Sequence, residues 1–416
     1  MGFQQGLSGL NAASRNLDVI GNNIANSNTT GFKGSRTEFA DIVATSIGAA
    51  GGNNNAGIGV QVASIAQQFS QGNITVTGNN LDVAINGGGF FQVQQPDGSI
   101  AYTRAGNFKL DKTGDLVTNT GAQVMGYKVD STTGASSSQT TPLSFPTGAP
   151  IQAKQTANIT TAINLDARAV DAASTVPPTP RSTYGTSVNV YDSQGVAVPV
   201  NLFFVKTATA NTWDVYDKLD DPTATPPVVA TSIGTVAFDA NGKYDPTTST
   251  SPLTVTVDPT GSNPNNPPAP WPVKIDLSAT TQFGSKFSVA DLTQDGYASG
   301  ALTGINIAKD GMVMASYSNG VTRAEAQVAL ANFRNPQGLS SLGGNNWAET
   351  NTSGAPVVGK PGTGNLGDLT SGALEDSNVD LTADLVNMMT AQRAYQANAQ
   401  TIKTEDQIMS TLVNLR

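Results

Sequence analysis

Residues 373–416 contain neither glycine nor proline, the two residues that most often interrupt a helix. Ser377 and Asp380 fit the pattern of a capping box just before an apolar periodic stretch. The sequence therefore predicts one helix running nearly to Arg416, roughly 55 Å long at the usual rise per residue. A single compact β-domain cannot cover a rod of that length, so the helix needs other helices as partners.

Apolar residues recur along this predicted helix in alternating steps of four and three, the spacing of a coiled-coil seam. The seam positions are Leu381, Leu385, Met388, Gln392, Tyr395, Ala399, Ile402, Asp406, Met409 and Val413. The other faces carry mostly uncharged polar residues and alanine. Because a face meant for water normally carries many charges, we expect burial against further helices rather than an ordinary amphipathic helix on its own core.

The start of the chain repeats this spacing. Its seam consists of Phe3, Leu7, Leu10, Leu17 and Ile24, with weak positions at Ser14 and Gly21. Each glycine inside such a helix costs about 1 kcal/mol, so the helix is weak alone, while small residues let another backbone approach. We expect the terminal segments 1–30 and 374–416 to be assembly elements that are frayed in the monomer and ordered when many copies pack together.

The composition narrows the class of function. Charged residues make up only 13% of the chain, against about 25% in a typical soluble domain. The net charge of −9 and the lack of a Lys/Arg cluster argue against nucleic acid. Without Cys or His, thiolate and imidazole chemistry and the usual zinc ligands are excluded. No pair of carboxylates can be located, so we expect no enzyme, no metal site and no cofactor.

The sequence also lacks the features of a membrane or secretory protein. No segment has the basic and apolar regions of a cleaved secretory signal, and none reaches the length needed to span a bilayer. By these rules the chain is neither inserted in a membrane nor exported.

The middle of the chain has the alternation of β-strands. Apolar residues alternate with polar or small ones at 81–85 and 91–93, and again from 188 to 215. Turn signals recur at 96–98, 111–114 and 118–121, and Pro-rich loops at 222–227 and 262–272. Strands resume at 304–317 and 324–333. The Gly-rich segments 48–59 and 359–372 are interpreted as flexible connections.

Two features resemble ligand sites, and each has a simpler interpretation. The triplet Gly87-Gly88-Gly89 lacks the Lys and Ser or Thr of a phosphate loop, so it predicts a turn or bulge. A group of Asp residues departs from the EF-hand spacing and predicts a solvated turn. This group comprises Asp214, Asp217, Asp220 and Asp221.

Four stretches together resemble the bacterial flagellar rod and hook axial protein family, and in particular its hook proteins. They are "NLDVIGNNIANSNTTGFKGSRTEFADI", "LDVAINGGGFFQV", "YTRAGNFKLDKTGDLVTNTG" and "ALEDSNVDLTADLVNMMTAQRAYQANAQTIKTEDQIMSTLVNLR". The family motif that follows the first helix is matched without a gap by Asn26, Ser27, Asn28, Thr29, Thr30, Gly31, Phe32 and Lys33.

The resemblance implies a fold that is mainly β with α-helical termini. In this family the terminal helices pair as a coiled coil, and an outer β-domain is inserted into an inner β-domain. The implied boundaries are 1–30 and 374–416 for the coiled coil, 31–72 and 359–373 for linker segments, 73–145 and 285–358 for the inner domain, and 146–284 for the outer domain.

The resemblance further implies a structural, non-enzymatic subunit of the flagellar hook, a curved helical tube that acts as a universal joint between rod and filament. Its partners would be other copies of itself, the rod and hook-filament junction proteins, the hook cap and the type III export apparatus. Its location would be the extracellular hook, reached without a cleaved signal peptide. Two alternatives are a distal-rod or junction relative and a secreted adhesive or carbohydrate-binding β-protein.

Phe32 and Lys33 have two interpretations that the sequence does not separate. They can serve the monomer, as a packed aromatic ring and a solvated charge. Alternatively, they contact a neighbouring subunit, since a loop at the exit from a coiled tube is well placed to do so.

Overall fold

The structure, a computed structural model, describes residues 2–43, 57–130, 134–145, 148, 150–172, 184–219 and 230–414. Within these residues it is mainly β, with a helix near each end: α1 (Gly2–Ala25) and α2 (Leu381–Asn414). The predicted fold class, mainly β with helical termini, is confirmed. In the described part of the chain, no helix combines the length and apolar character required to cross a bilayer.

The strands of the first part of the chain are β1 (Ser35–Val43), β2 (Gly57–Gln67), β3 (Ile74–Val76), β4 (Val83–Asn86), β5 (Phe90–Gln94), β6 (Ile100–Thr103), β7 (Lys109–Leu110), β8 (Leu116–Val117), β9 (Gln123–Val129) and β10 (Ser136–Pro142). The middle contains β11 (Asn158–Asn164), β12 (Tyr184–Tyr191), β13 (Ala197–Lys206), β14 (Thr212–Tyr216), β15 (Ser232–Ala237), β16 (Leu253–Val257), β17 (Trp271–Asp276) and β18 (Ser288–Gln294). The last part contains β19 (Leu302–Ile307), β20 (Met312–Tyr317), β21 (Thr322–Val328), β22 (Leu330–Asn332), β23 (Ser340–Gly343), β24 (Asn346–Ala348), β25 (Val357–Gly359), β26 (Asp368–Ser371) and β27 (Ala373–Glu375).

The chain separates into two compact units. The first unit comprises Met1–Gly148, Thr303–Ser316 and Thr322–Arg416, so it holds both helices. The second comprises Ala149–Leu302 and Tyr317–Val321. The finer division of the chain into coiled coil, linkers, inner domain and outer domain stays a prediction.

The first unit is organised around a sheet in which neighbouring strands follow the order β19-β20-β21-β9-β5-β6-β24-β23. On one side of it, Phe90, Tyr102, Phe333 and Trp347 form an aromatic cluster with edge-to-face ring contacts, including 4.8 Å between the centroids of Tyr102 and Phe333. The strands predicted from sequence at 81–85 and 91–93 are confirmed as β4 and β5. Successive residues of β4 and β5 are buried, from Val83 to Ile85 and from Phe90 to Val93, so both faces of these strands are covered.

Two short strand pairs join the beginning and the end of the chain inside this unit. Strand β27 pairs with β3, with Glu375 opposite Ile74, and β26 pairs with β4, with Asp368 opposite Asn86. These antiparallel pairs hold the segment that leads into α2 against the segment that follows α1.

The structure corrects the sequence interpretation of the segment 359–372. It was expected to be a flexible connection, but β26 within it is hydrogen-bonded to β4, and Gly367 N–H donates to Gly88 O at 2.7 Å. A Cβ atom on Gly367 would lie 2.5 Å from Asn86 O, so glycine is needed here for close backbone contact rather than for flexibility. The triplet 87–89 is a turn between β4 and β5, as predicted. Of the other Gly-rich segment, 48–59, residues 48–56 lie outside the described residues and 57–59 belong to β2.

The second unit contains two sheets in the orders β16-β17-β11-β18 and β12-β13-β14-β15, and one hydrophobic core includes residues from both. The predicted strands between 188 and 215 are confirmed as parts of β12, β13 and β14. Trp213 is fully buried in this core and donates from Nε1 to Gln282 Oε1 at 3.0 Å. The predicted loop 222–227 lies outside the described residues.

The start of α2 corrects the predicted capping box. Asp380 is the cap: its carboxylate accepts hydrogen bonds from the N–H groups of Thr382 and Ala383, at 2.9 and 3.1 Å. Ser377 lies before the cap, where its hydroxyl accepts from Val379 N–H. The helix therefore begins where Asp380 satisfies its first free N–H groups.

Candidate functional site

The segment that follows α1 ends the helix with its own polar side chains. Asn26 Nδ2 donates to the carbonyl of Asn22 at 2.9 Å, and Thr29 Oγ1 donates to Asn26 Oδ1 at 3.2 Å. Asn and Thr compete with the helix for backbone hydrogen bonds, which is why a run of them stops it. The motif residues from Asn26 to Thr30 lie in turns at the surface, half-buried or exposed.

Gly31 sets the direction of the backbone after these turns. Its backbone has φ +69°, and its N–H donates to the carbonyl of Glu375 at 2.8 Å. A Cβ atom at this position would lie 2.6 Å from the backbone nitrogen of Ala105. Both the positive φ and the close approach require glycine.

Lys33 is buried in an ion-pair cluster, which corrects the expectation of a solvated charge or a subunit contact. Its Nζ donates to Glu375 Oε1 at 2.6 Å and to the carbonyl of Ser70 at 2.7 Å. Glu375 Oε2 accepts from Arg104 Nη1 at 3.1 Å, and Arg104 Nη2 donates to the carbonyl of Gly87 at 2.9 Å. One carboxylate thus serves two cations.

The cluster is removed from water: Lys33 is 1% exposed, Glu375 0% and Arg104 4%. Burial lowers the pKa of Lys33, and the charge of Glu375 opposes this change. Burial also lowers the pKa of Arg104, again against the effect of Glu375. Glu375 is therefore the centre of the cluster, because without it two cations would remain buried together.

Two amide side chains extend this cluster toward the helices. Asn23, near the end of α1, exchanges two hydrogen bonds with the backbone N–H and C=O of Ser35, both at 2.9 Å. Asn378, before α2, accepts from Gly34 N–H at 2.8 Å and donates to the carbonyl of Gln68 at 2.6 Å. Each amide acts as a peptide-like bridge between a helix end and the hairpin β1–β2.

We call this region the neck, which consists of Asn23, Gly31, Lys33, Arg104, Glu375 and Asn378. It connects α1, the motif, the start of β1, the sheet of the first unit and the chain before α2. Both helices are therefore connected to the sheet through hydrogen bonds and the buried ion pairs of Glu375.

Beyond the neck, α1 and α2 pack against each other in an antiparallel manner. A Cβ on Gly6 would lie 3.1 Å from Ile402 Cγ1, and a Cβ on Gly9 would lie 2.8 Å from Asn398 Nδ2. The two glycines therefore allow the close approach of the helices. On its other side α1 contacts the hairpin, where Gln5 Nε2 donates to the carbonyl of Gly57 at 2.7 Å.

The face of α1 that is buried in the chain is not the predicted seam. The buried residues are Gly6, Ala12, Ala13, Val19, Ile20 and Asn23. Phe3 and Leu7 of the seam are exposed, while Leu10, Leu17 and Ile24 are half-buried. On α2 the half-buried seam residues are Met388, Ala399 and Ile402, and the exposed ones are Leu381, Leu385, Tyr395, Met409 and Val413. A role of these seam residues in assembly stays a prediction.

Phe32 is half-buried at the edge of an open polar cavity of about 430 Å³. The cavity is also lined by the end of α1 and by residues around Asn345, whose Nδ2 donates to the carbonyl of Thr30 at 2.9 Å. The two interpretations of Phe32, packing in the monomer and contact with a neighbour, remain open.

Only Asp214 and Asp217 of the Asp group lie within the described residues. Asp214 lies on β14 rather than in a turn, and burial raises its pKa. Asp220 and Asp221 lie outside the described residues. Among the described residues, no cluster of three acidic, His or Cys side chains could hold a metal ion.

Four protein-family models match the chain. They are the flagella basal body rod protein at residues 3–33, the flagellar hook protein FlgE/F/G D1 domain at 84–173, the flagellar basal body protein FlaE D2 domain at 164–297, and the flagellar basal body rod FlgEFG protein C-terminal at 370–415.

Full-length relatives decide the family. The chain is 43% identical over 423 residues to the flagellar hook protein FlgE of Escherichia coli (strain K12), covering 100% of both chains. The chain belongs to the flagellar hook protein family. It is also 34% identical to the hook protein FlgE of Treponema pallidum (strain Nichols), covering 99% of this chain and 98% of the relative.

The crystal structure of Helicobacter pylori flagellar hook protein FlgE2 has a similar fold. It matches with a TM-score of 0.52 at 17% identity, over 72% of this chain and 100% of that one. As a hook-family member the chain is a structural subunit of the flagellar hook. The distal-rod or junction relative and the secreted adhesive β-protein are not favoured.

Proposed function

We propose that the chain polymerises through its terminal helices into the curved tube of the hook, which transmits torque from rod to filament while it bends. The observation that carries this proposal is the combination of exposed apolar rows on both helices with a neck that fixes those helices to the sheet. Apolar rows of this kind gain stability by packing against other copies. The neck then delivers the load from the packed helices to the sheet of the first unit.

We also propose the finer organisation. The helices α1 and α2 pair as a coiled coil at the inside of the tube, supported by the contacts of Gly6 and Gly9 with α2. The first unit contributes the inner β-domain and the second unit an outer domain inserted into it, supported by the order of the chain segments in the two units. Repeated heterologous contacts that do not close a ring generate such a tube.

Membership of the hook family supports our proposal for the partners and the route of export. Partners are further copies of this chain, the rod and junction proteins at the two ends of the tube, and the hook cap and type III export apparatus during assembly. A first helix with interior glycines is weak alone, which suits export of an unfolded chain without a cleaved signal. The assembled location is the extracellular hook.

A truncation tests the proposal. A chain ending at Asp380 keeps Glu375 and Asn378 of the neck and loses α2 alone, so its sheets should stay folded while it forms no tubes. Negative-stain electron microscopy of the concentrated protein would show tubes for the full chain and none for the truncated one. Trp fluorescence reports whether both units remain folded, and tubes formed by the folded truncated chain would contradict the proposal.

A further inference from the structure

The end of α2 projects beyond the start of α1. Because Gly9 lies beside Asn398 and Gly6 beside Ile402, the first residue of α1 is level with about residue 405 of the antiparallel α2. The remaining part of α2, residues 406–414, therefore extends past α1 by on the order of 13 Å. We call this segment the overhang.

The overhang exposes four apolar residues and continues the surface through which α2 packs against α1. Its exposed residues Ile408, Met409, Leu412 and Val413 have between 50% and 71% of their surface accessible. Met409 and Val413 follow Ile402 in the same heptad spacing, and Ile402 contacts α1 of its own chain. Among the described residues, the interface between the helices is thus filled as far as Ile402 and open beyond it.

A second apolar face is available on α1. Phe3 and Leu7 are 52% and 43% exposed, and Leu10 and Leu17 continue the row as half-buried residues. This outward stripe differs from the glycine and alanine face that contacts α2. Within the described residues, a Cβ at Gly21 in the same row would meet no atom within 4 Å.

One charge beside the outward stripe of α1, Arg15, is opposite in sign to the charge at the start of the overhang, Asp406, although Asp18 of α1 is also exposed near Arg15. Arg15 flanks the outward stripe of α1, and Asp406 begins the overhang; both are exposed, and neither has an ion-pair partner among the described residues. Leu7 and Arg15 are about 12 Å apart along α1, and Leu412 and Asp406 about 9 Å apart along α2. If the two helices are antiparallel and Leu412 is placed beside Leu7, Asp406 therefore lies within about one helical turn of Arg15.

We propose that the overhang of one copy packs antiparallel on the outward stripe of α1 in the next copy, with Leu412 at Leu7 and Asp406 at Arg15. This inference rests on the proposed function, since it names the surface through which two copies associate. The same contact repeats from copy to copy without closing, as a tube requires.

Engineered cysteines test the contact, because the chain has none of its own. A Leu7→Cys chain is mixed with a Leu412→Cys chain, assembled and oxidised. We expect a disulfide-linked dimer on non-reducing gels, since the two positions meet between copies. Within one chain these positions are roughly 17 Å apart along the helix axis, too far for a disulfide.

The matched control is Thr411→Cys in place of Leu412→Cys, because Thr411 lies one residue away and on a different face of α2. Dimer should form several-fold less with Thr411→Cys. Tubes without the 7–412 disulfide would overturn this inference and leave the proposed function standing. If the unmodified full chain forms no tubes, the proposed function fails and this inference fails with it.

A charge exchange provides an independent readout. Arg15→Glu and Asp406→Arg should each raise the protein concentration needed for tube formation, by about two- to fivefold for a surface pair. The double variant should return it close to that of the parent, because the pair is restored with opposite polarity. A double variant that assembles no better than the single ones would overturn the pairing of Arg15 with Asp406.

Discussion

The Glu375→Gln variant should unfold its first unit at a much lower urea concentration than the parent protein. Glutamine fills nearly the same space but removes the only carboxylate of the buried cluster, so Lys33 and Arg104 remain buried without an anion. Removing one partner of a buried ion pair costs about 3–5 kcal/mol. Hydrogen exchange of peptides from β4 and β5, followed against urea, measures this unit separately from the second.

The relative stability of two variants distinguishes a cluster centred on Glu375 from a core in which every substitution is equally destabilising. Lys33→Met should cost less than Glu375→Gln, because Glu375 then keeps Arg104 as its partner. A surface control is Glu38→Gln, which removes the exposed pair with Arg36 and should barely change the urea midpoint. A Lys33→Met variant that is as unstable as Glu375→Gln would show that Glu375 is not the centre of the cluster.

The Gly31→Ala variant should lose a similar amount of stability by a different mechanism. A residue with a Cβ at φ +69° costs about 1–2 kcal/mol, and the clash with the backbone of Ala105 adds about 1–3 kcal/mol. Since the backbone of Ala105 cannot rotate away as a flexible side chain can, we expect a total loss of about 2–5 kcal/mol. Urea unfolding followed by the same exchange measurement gives the free energy.

Gly78→Ala separates the two contributions. Gly78 has φ +75°, but a Cβ there would meet no atom within 4 Å, so only the conformational cost of about 1–2 kcal/mol applies. Equal losses at the two positions would mean that the motif glycine is not held against Ala105.

The strands and helices can be predicted from sequence because their signals are local. The alternation in β4 and β5, and the absence of glycine and proline after residue 372, each depend on neighbouring residues alone. The pairing of β27 with β3 and of β26 with β4 could not be predicted in this way. Those partners lie far apart in the chain, and a Gly-rich segment gives the same local pattern whether it is a linker or a tightly packed backbone.

The sequence identifies the motif 26–33, but it does not predict the buried ion pairs that Lys33 forms. Lys33 was expected at a surface, because a buried lysine is rare unless it is paired. Its partner Glu375 lies near the other end of the chain, and Arg104 lies in the middle. A buried charge needs a counter-charge, but neither Arg104 nor Glu375 lies in a strand that the sequence predicted, so no local pattern marked either residue as buried.

The predicted seam on α1 shows a different limit. Hydrophobic periodicity identified Phe3, Leu7 and Leu10, whereas the face that contacts α2 contains Gly6 and Gly9. Small residues contribute little to a hydrophobic pattern, although they permit the closest contacts between helices. The pattern therefore marked the face that remains available to other copies.

Hydrogen exchange of α1 and α2, compared between dilute monomer and assembled tubes, tests most directly the claim that the chain ends gain their stability from assembly. We predict that amides of both helices exchange quickly in the monomer, while those of β5 and β13 are protected, and that the helices become strongly protected in the tube. Equal protection of the helices in the monomer and in the tube would contradict the account.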